Sequence, residues 1–295
     1  MTGPEARTLD ASTPPVVERE SHTAVASIPL EDYVRLFADC GGTDENYLRH
    51  HFARFAWTHR QVRLGLASEG VVRPVHVLDI GAHWLHQSLL FALAGCEVTA
   101  LDLPVTFGDR RVRELARRHG IRLVACGDLE HATELGALDA DSVDVVLFTE
   151  IIEHVTFNPV AMWRAIHRVL RPGGRIVVTT PNHYALRSRA WQWGRFVRGG
   201  GAGIRVPDIL SKHTRAHHWK EYSLRELVDY FTMLSPDFRC GPGLLVEDHR
   251  AQPASSFRGR LARRIERALP ILRPGLYLEV RVPRKDQGIV VEPTW

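Results

Sequence analysis

The chain reads as an α/β protein with a mostly parallel seven-stranded sheet and helices on both faces. Three observations lead there. Apolar strand-like runs alternate with segments of helical spacing from Val75 onward. Val77–Asp102 reads as a buried strand ending at Asp79, a turn at Gly81, a helix, a second strand, and an acid, Asp102, at its tip. Leu170-Arg171-Pro172-Gly173-Gly174 is a helix stop followed by another apolar run. A strand–turn–helix–strand–acid unit holds a nucleoside. Its turn lets backbone approach the ligand, the helix N-terminus faces it, and the second acid accepts from ribose hydroxyls.

The strands expected in order are Val75–Ile80, Glu97–Leu101, Arg122–Ala125, Val143–Phe148, Arg175–Thr179, Leu244–Glu247 and Leu276–Val282. Before them, Pro29 to about Cys40 reads as a short helix. Asp44–Ser68 reads as a longer one, carrying Leu48, Phe52, Phe55, Val62 and Leu66 at helical spacing. Helices between strands are expected at Leu85–Ala94, Asp109–His119 and Pro159–Leu170. Tyr222–Leu234 returns to helix, with Ser223 and Glu226 spaced as a capping box. A basic amphipathic helix occupies about Ser256–Leu269.

The resulting organisation is a tail over 1–26, a helical extension over 27–70, a core over 71–182, an insertion over 183–219, and the rest of the core with the basic helix over 220–295. The insertion carries Trp191, Trp193, Phe196 and a Gly200–Gly201 hinge, and reads as a lid on the ligand edge of the sheet.

At 295 residues the chain can bury a full core as one elaborated domain. Its 44% hydrophobic and 24% charged content is ordinary for a soluble enzyme. No apolar run approaches the roughly 18–20 residues of a bilayer span. The N-terminus lacks the apolar stretch of a signal peptide, so the cytoplasm is the expected compartment. Cys40, Cys96, Cys126 and Cys240 are scattered without CxxC spacing, which excludes a zinc ribbon or a disulfide framework. The net charge of +4 is concentrated late in the chain and gives no global nucleic-acid footprint.

Five segments in order resemble the class I S-adenosylmethionine-dependent methyltransferases: VLDIG with Asp79 and Gly81, VTALD with Asp102, ACGDLE with Asp128, VDVVLFTEIIEHV with Glu150, Glu153 and His154, and LRPGGRIVVTTPN. The resemblance covers Val75–Thr180 well and Trp219–Val282 more loosely. It implies a Rossmann-like fold and S-adenosyl-L-methionine as cofactor. It implies that Asp79, Gly81, His83, Asp102, Leu103, Asp128, Leu129 and Glu150 border that cofactor. Gly81 would pass under its methionine part, Asp102 would hold the ribose hydroxyls, and Asp128 would accept from the adenine amino group beside a backbone donor at Leu129. The bland readings of Asp102 and Asp128 are a strand-end cap and a turn residue.

The chain departs from the family's DxGxGxG pattern, because His83 and Leu85 stand where the second and third glycines are expected. His83, Trp84 and His86 either line a pocket, with Trp84 offering a ring face to a sulfonium, or pack and face solvent. Glu150, Glu153 and His154 resemble the motif of some quinone-precursor and small-RNA O-methyltransferases, in which such residues can hold a divalent ion; without an ion, His154 would cap a helix or act as a base. His218-Trp219-Lys220-Glu221-Tyr222 resembles the family's stretch beside the substrate mouth. It makes His218 the first candidate base and His154 the second.

The function expected is methylation of a hydroxyl on a small molecule or glycan. The alternatives are a catalytically silent binding module, motivated by the missing glycines, and an RNA methyltransferase, motivated by the acidic–histidine motif and the late basic helix. That helix could also touch an anionic membrane surface, or simply be a solvated face.

Overall fold

The computed structural model describes residues 28–186, 194, 197–199, 203–247 and 257–294. The expected tail over 1–26, and Trp191, Trp193, Phe196, Gly200 and Gly201 of the insertion, lie outside the described residues. Five strands run parallel: β1 (His76–Ile80), β2 (Glu97–Asp102), β3 (Arg122–Ala125), β4 (Val143–Thr149) and β5 (Leu170–Pro181). Three more complete the sheet: β6 (Arg239–Cys240), β7 (Leu244–Val246) and β8 (Gly275–Val282). β8 lies antiparallel to β5, and β6 and β7 both pair with β8. The order is β3-β2-β1-β4-β5-β8-β6. It reverses direction between β1 and β4, and ligands of open α/β sheets bind at such a reversal, outside the strands' C-terminal ends.

The strands are buried on both faces, so alternate residues feed two separate cores. Leu78, Ile80, Val146, Phe148, Ile176 and Val178 point to one side. They pack there with Trp163 and Ile166 of α6 (Val160–Val169) and with Leu227 and Phe231 of α8 (Leu224–Leu234). Val77, Val145, Leu147 and Val177 point to the other. Their partners include Tyr33 and Phe37 of α1 (Leu30–Ala38), Leu48, Phe55 and Val62 of α2 (Glu45–Ser68) and Phe91 of α3 (Ser88–Leu93). Each such side chain contributes about 1.5–3 kcal/mol by leaving water. The remaining α-helices given bounds among the described residues are α4 (Pro104–Phe107), α5 (Arg110–His119), α7 (Val206–Ser211) and α9 (Phe257–Ala268). No described helix is long and apolar enough to cross a membrane.

α2 is fixed at both ends. The Asp44 carboxylate accepts from the Tyr47 N–H at 3.0 Å and caps its start. Beyond its last turn, Glu69 pairs with Arg175 of β5, which is 1% exposed and also meets Glu279 of β8 at 3.3 Å. A buried guanidinium costs several kcal/mol if left unpaired, so this clamp holds α2 against the sheet and sets which of its side chains reach the strand tips.

Three expectations need correction. The helix after Gly81 begins at Ser88 rather than Leu85. The reason is local: His83 and Leu85 take φ of 49° and 65°, which a right-handed helix cannot contain. The sheet has eight strands, because a two-residue strand at Arg239–Cys240 is too short to leave a periodic signal. Helix α6 does stop at Val169, but Leu170 pairs at once with Val143, before the register resumes with Arg175 opposite Val145. The capping box is formed: the Glu226 N–H donates to Ser223 Oγ, and the Ser223 N–H donates to Glu226 Oε2 at 2.8 Å.

Candidate active site

Two cavities open side by side at the C-terminal tips of β1, β2, β4 and β5. The first has a volume of about 450 Å³ and the second about 560 Å³. Tyr47 and Arg54 of α2, with Glu150 and His154 just past β4, line both. These four side chains form the wall that the two cavities share.

Asp79, Gly81, His83, Asp102, Leu103, Asp128, Leu129 and Glu150, scattered over four strand ends, all border the first cavity. Gly81 is irreplaceable there. Its φ is +75°, and a Cβ at that position would lie 2.1 Å from Ile151 Cδ1. Asp102 is organised by the backbone around it: Oδ2 accepts from the His83 N–H at 2.7 Å, and Oδ1 from the Leu103 N–H at 2.6 Å and Thr106 Oγ1 at 2.9 Å. A carboxylate has about four lone-pair sites, so acceptor capacity remains toward the cavity. Asp128 is bonded within its own turn, accepting from the Glu130 N–H at 3.1 Å and paired with His131 Nδ1 at 2.7 Å.

Asp79 is 1% exposed. Burial, opposed by the bond from Ser88 Oγ at 2.6 Å, pushes its carboxyl up to about 7. Two side chains that sequence reasoning did not single out face the same space. Gln87 donates no bond through Nε2, which is buried, while its Oε1 accepts from Thr149 Oγ1 at 3.2 Å. Arg54 meets Glu150 Oε2 at 2.8 Å. A signal for Arg54 existed in His50-His51-Phe52-Ala53-Arg54-Phe55-Ala56-Trp57, a run mixing imidazoles, aromatics and a guanidinium on one helix; no pattern marked Gln87.

His86 and Trp84 part company. His86 is 2% exposed, bonds Thr43 Oγ1 through Nε2 at 2.6 Å, and is held down to about 3 by burial and its imidazole neighbours. Trp84 lies under the Arg111 guanidinium at 4.4 Å and does not border the first cavity, so it offers no ring face to a ligand there.

The second cavity brings Glu153, His154 and His218 together. The rings of His154 and His218 meet edge to face at 4.8 Å, and one candidate ligand atom from each of the three residues lies within 4.8 Å of the others. Glu153 is fully buried and its carboxyl is pushed well above the usual range by burial and by Glu150. Its Oε2 accepts from Thr180 Oγ1 at 2.9 Å, while Oε1 has no hydrogen-bond partner and lies 3.9 Å from His154 Nε2. His218 Nδ1 is also buried without a hydrogen-bond partner. Glu150, expected beside Glu153 and His154, is instead tied to Arg54 and to Thr179 Oγ1 at 3.0 Å, and the third member of the cluster is His218. His154 Nδ1 faces the His217 carbonyl at 2.9 Å. A carbonyl only accepts, which assigns the proton to Nδ1 and leaves Nε2 as the basic nitrogen. The stretch leading to His218 is laid in place by the Trp219 N–H, which donates to the Glu153 carbonyl at 2.7 Å.

Comparison with known proteins bears on the family and the fold. Residues 78–178 match the family model described as a methyltransferase domain. A ubiquinone biosynthesis O-methyltransferase of Xanthomonas oryzae pv. oryzae is 34% identical over 108 residues, covering 36% of this chain and 43% of that protein. The chain thus matches less than half the length of that relative. The protein of the same description in Xanthomonas campestris pv. campestris is 29% identical over 201 residues, covering 67% of this chain and 77% of its own. Among solved structures, a chain of the complex between the Haloferax volcanii Trm112 methyltransferase activator and a methyltransferase superposes with a TM-score of 0.52 at 16% identity, over 84% of this chain and 98% of that one. At that identity the likeness speaks to fold alone.

Proposed function

This chain belongs to the class I S-adenosylmethionine-dependent methyltransferase family, and from that premise we propose that it is an O-methyltransferase acting on a hydroxyl of a small molecule. The observation that carries the reading is the pair of adjoining cavities that share one partition, Tyr47, Arg54, Glu150 and His154. One cavity has the donor set a nucleoside needs, and the other has two imidazoles suited to taking a proton. The relatives' description as O-methyltransferases of ubiquinone biosynthesis supports oxygen as the atom modified.

The residues bordering the first cavity fit S-adenosyl-L-methionine on its chemistry. Asp102 retains acceptor capacity for ribose hydroxyls. Gln87 Nε2 is a buried donor without a partner, suited to a carboxylate, and the Asp79 carboxyl would ionise against an ammonium group. Asp128 and Leu129 stand at the third strand's tip, where an adenine edge would be read. When bound, the cofactor supplies an electrophilic methyl on a sulfonium, so the protein needs no covalent nucleophile. What remains for the chain is to align the acceptor and remove its proton. The His154 and His218 imidazoles, which meet edge to face in the second cavity, are the groups for that step.

A divalent ion fits the second cavity on the same kind of evidence. Glu153, His154 and His218 offer one oxygen and two nitrogens; Glu153 Oε1 is buried without a hydrogen bond, as is His218 Nδ1, which lies 3.6 Å from Glu221 Oε1. These three would hold it; with the ion bound the two histidines would be ligands rather than bases, and the ion would lower the pKa of an acceptor hydroxyl instead.

The test is a labelled methyl-donor assay over hydroxylated aromatic and glycan acceptors, run beside calorimetry with S-adenosylhomocysteine. Micromolar binding with label transferred to oxygen is expected. Absence of binding overturns the enzymatic reading and favours a silent module.

A further inference from the structure

Most of what lines the second cavity is polar. Its described lining residues include five carboxylates, Glu150, Glu153, Glu221, Glu247 and Glu266, four imidazoles and one guanidinium, that of Arg54. Small-molecule sites are as a rule lined predominantly by hydrophobic and aromatic side chains, with a few polar groups to fix orientation; here the proportion is reversed. Glu150 is bound to Arg54 and Thr179, and Glu153 to Thr180, both near the histidines. Glu247 and Glu266 arrive from the last part of the chain and line the second cavity but not the first.

α9 carries five arginines and a single acid, Glu266. Arg260, Arg264 and Arg267 are exposed, whereas Glu266 is 6% exposed and faces the cavity. Drawing a carboxylate out of water is costly, so a helix that was merely a solvated face would have turned its one acid outward. Glu247, just past β7, is set by Arg273, itself 5% exposed: Arg273 Nη2 meets Glu247 Oε1 at 3.3 Å, and Nη1 donates to the Leu245 carbonyl at 2.9 Å. Asn182 at the end of β5 ties in the turn after α9, its Nδ2 donating to the Ile271 and Arg273 carbonyls at 2.8 and 2.7 Å. The far wall of the cavity is thus a fixed frame that presents acceptor oxygens.

We propose that the acceptor is a polyhydroxylated, non-aromatic small molecule of the sugar or cyclitol class, its non-reacting hydroxyls read by Glu247 and Glu266 while the reacting one lies at His154 and His218. This rests on the O-methyltransferase reading of the two cavities. A carboxylate is acceptor-only, with about four lone-pair sites, and neighbouring ring hydroxyls supply O–H donors to both of its oxygens. An apolar aromatic ring against the same wall would displace its water and return no hydrogen bonds. In the transfer the reacting O–H gives its proton to an imidazole (to water where the ion is bound), and its oxygen bonds the methyl carbon as the methyl–sulfur bond breaks to leave a neutral thioether.

The test sets two acceptor classes against each other. Methyl glycosides of hexoses and deoxyhexoses, with myo-inositol, are compared with catechol and 4-hydroxybenzoate for uptake of labelled methyl. The best sugar or cyclitol should exceed any phenol in kcat/KM by about 100-fold or more, because a site built to bond hydroxyls rejects ligands that lack them. Glu266→Gln and Glu247→Gln should each raise KM for that acceptor roughly tenfold, the worth of a hydrogen bond to a charged group, and leave kcat within about twofold. Their affinity for S-adenosylhomocysteine should match the parent's, which also shows them folded; Glu247→Gln, at the more exposed carboxylate, carries the test if Glu266→Gln does not fold. Calorimetry with the same glycosides reads the cavity without methyl transfer and should show the same loss. A preferred phenol overturns the proposal, as does an unchanged KM in the folded variants, or transfer to no acceptor in the panel while S-adenosylhomocysteine binds. If S-adenosylhomocysteine does not bind the parent, the methyltransferase reading falls by itself: glycoside binding that weakens in the variants would still uphold the sugar-class cavity, and its absence would sink that too.

Discussion

His154 and His218 stand edge to face with ring centroids 4.8 Å apart, although one follows the fourth strand and the other precedes helix α8. His154 is oriented by the His217 carbonyl, so the residue preceding one histidine sets the tautomer of the other. Replacing His154 by Ala should lower kcat about 10²–10³-fold, the usual worth of a positioned base. S-adenosylhomocysteine binding should change little, because the groups assigned to the cofactor lie elsewhere. His218→Ala should act in the same direction. Steady-state rates with the best acceptor, beside calorimetry, check this; unchanged kcat in both variants would remove the histidines from the chemistry.

Asp102 collects three donors from the backbone and Thr106. In Asp102→Asn the amide NH₂ must face one of those N–H groups, and the charge that strengthens a ribose bond is gone. S-adenosylhomocysteine should bind roughly 10- to 100-fold more weakly, about 1.5–3 kcal/mol, with the fold intact by circular dichroism.

The Asp79 carboxyl is raised to about 7, above its ordinary value of 3.8. A carboxyl raised on folding binds more protons in the native state than in the unfolded one across that interval. Stability from this group is therefore fully present below about pH 4 and is lost as pH rises toward and through 7, by an amount on the order of 4 kcal/mol. Asp79→Asn should flatten that part of the stability–pH curve. Urea midpoints taken every half unit from pH 4.5 to 8.5 would show whether the parent alone has the slope.

Gly81→Ala places a methyl 2.1 Å from Ile151 Cδ1 at a φ of +75°. Steric overlap and the backbone penalty together should cost about 2–4 kcal/mol, read as a lower denaturation midpoint. Adding Ile151→Ala should return the steric part only. Full recovery in the double variant would show that φ at this turn carries no penalty.

Much of this architecture was legible in the residues. The parallel strands announced themselves as apolar runs; Asp79, Gly81 and Asp102 stood out in the strand–turn–helix–strand–acid unit and Asp128 through the family resemblance, and all four border the first cavity. The start of α3 was misread because periodicity sees Leu85 as a core residue, which it is, but cannot see that its φ is left-handed. Glu150 looked like a partner of Glu153 and His154 from adjacency in sequence. It turns instead to Arg54, because α2 crosses the strand tips there, a long-range arrangement that no local window contains. Arg54 and Gln87 were missed for the same reason: their meaning comes from a wall built by two distant segments.

The single helix Glu45–Ser68 gives Tyr47 and Arg54 to both cavities and His50, His51, Trp57 and Thr58 to the second alone. Residues of that second group can drift and retune which acceptors are admitted, whereas a change at Tyr47 or Arg54 disturbs two chambers at once. All six side chains share one face of the helix, so the two chambers are coupled through a single packed stripe.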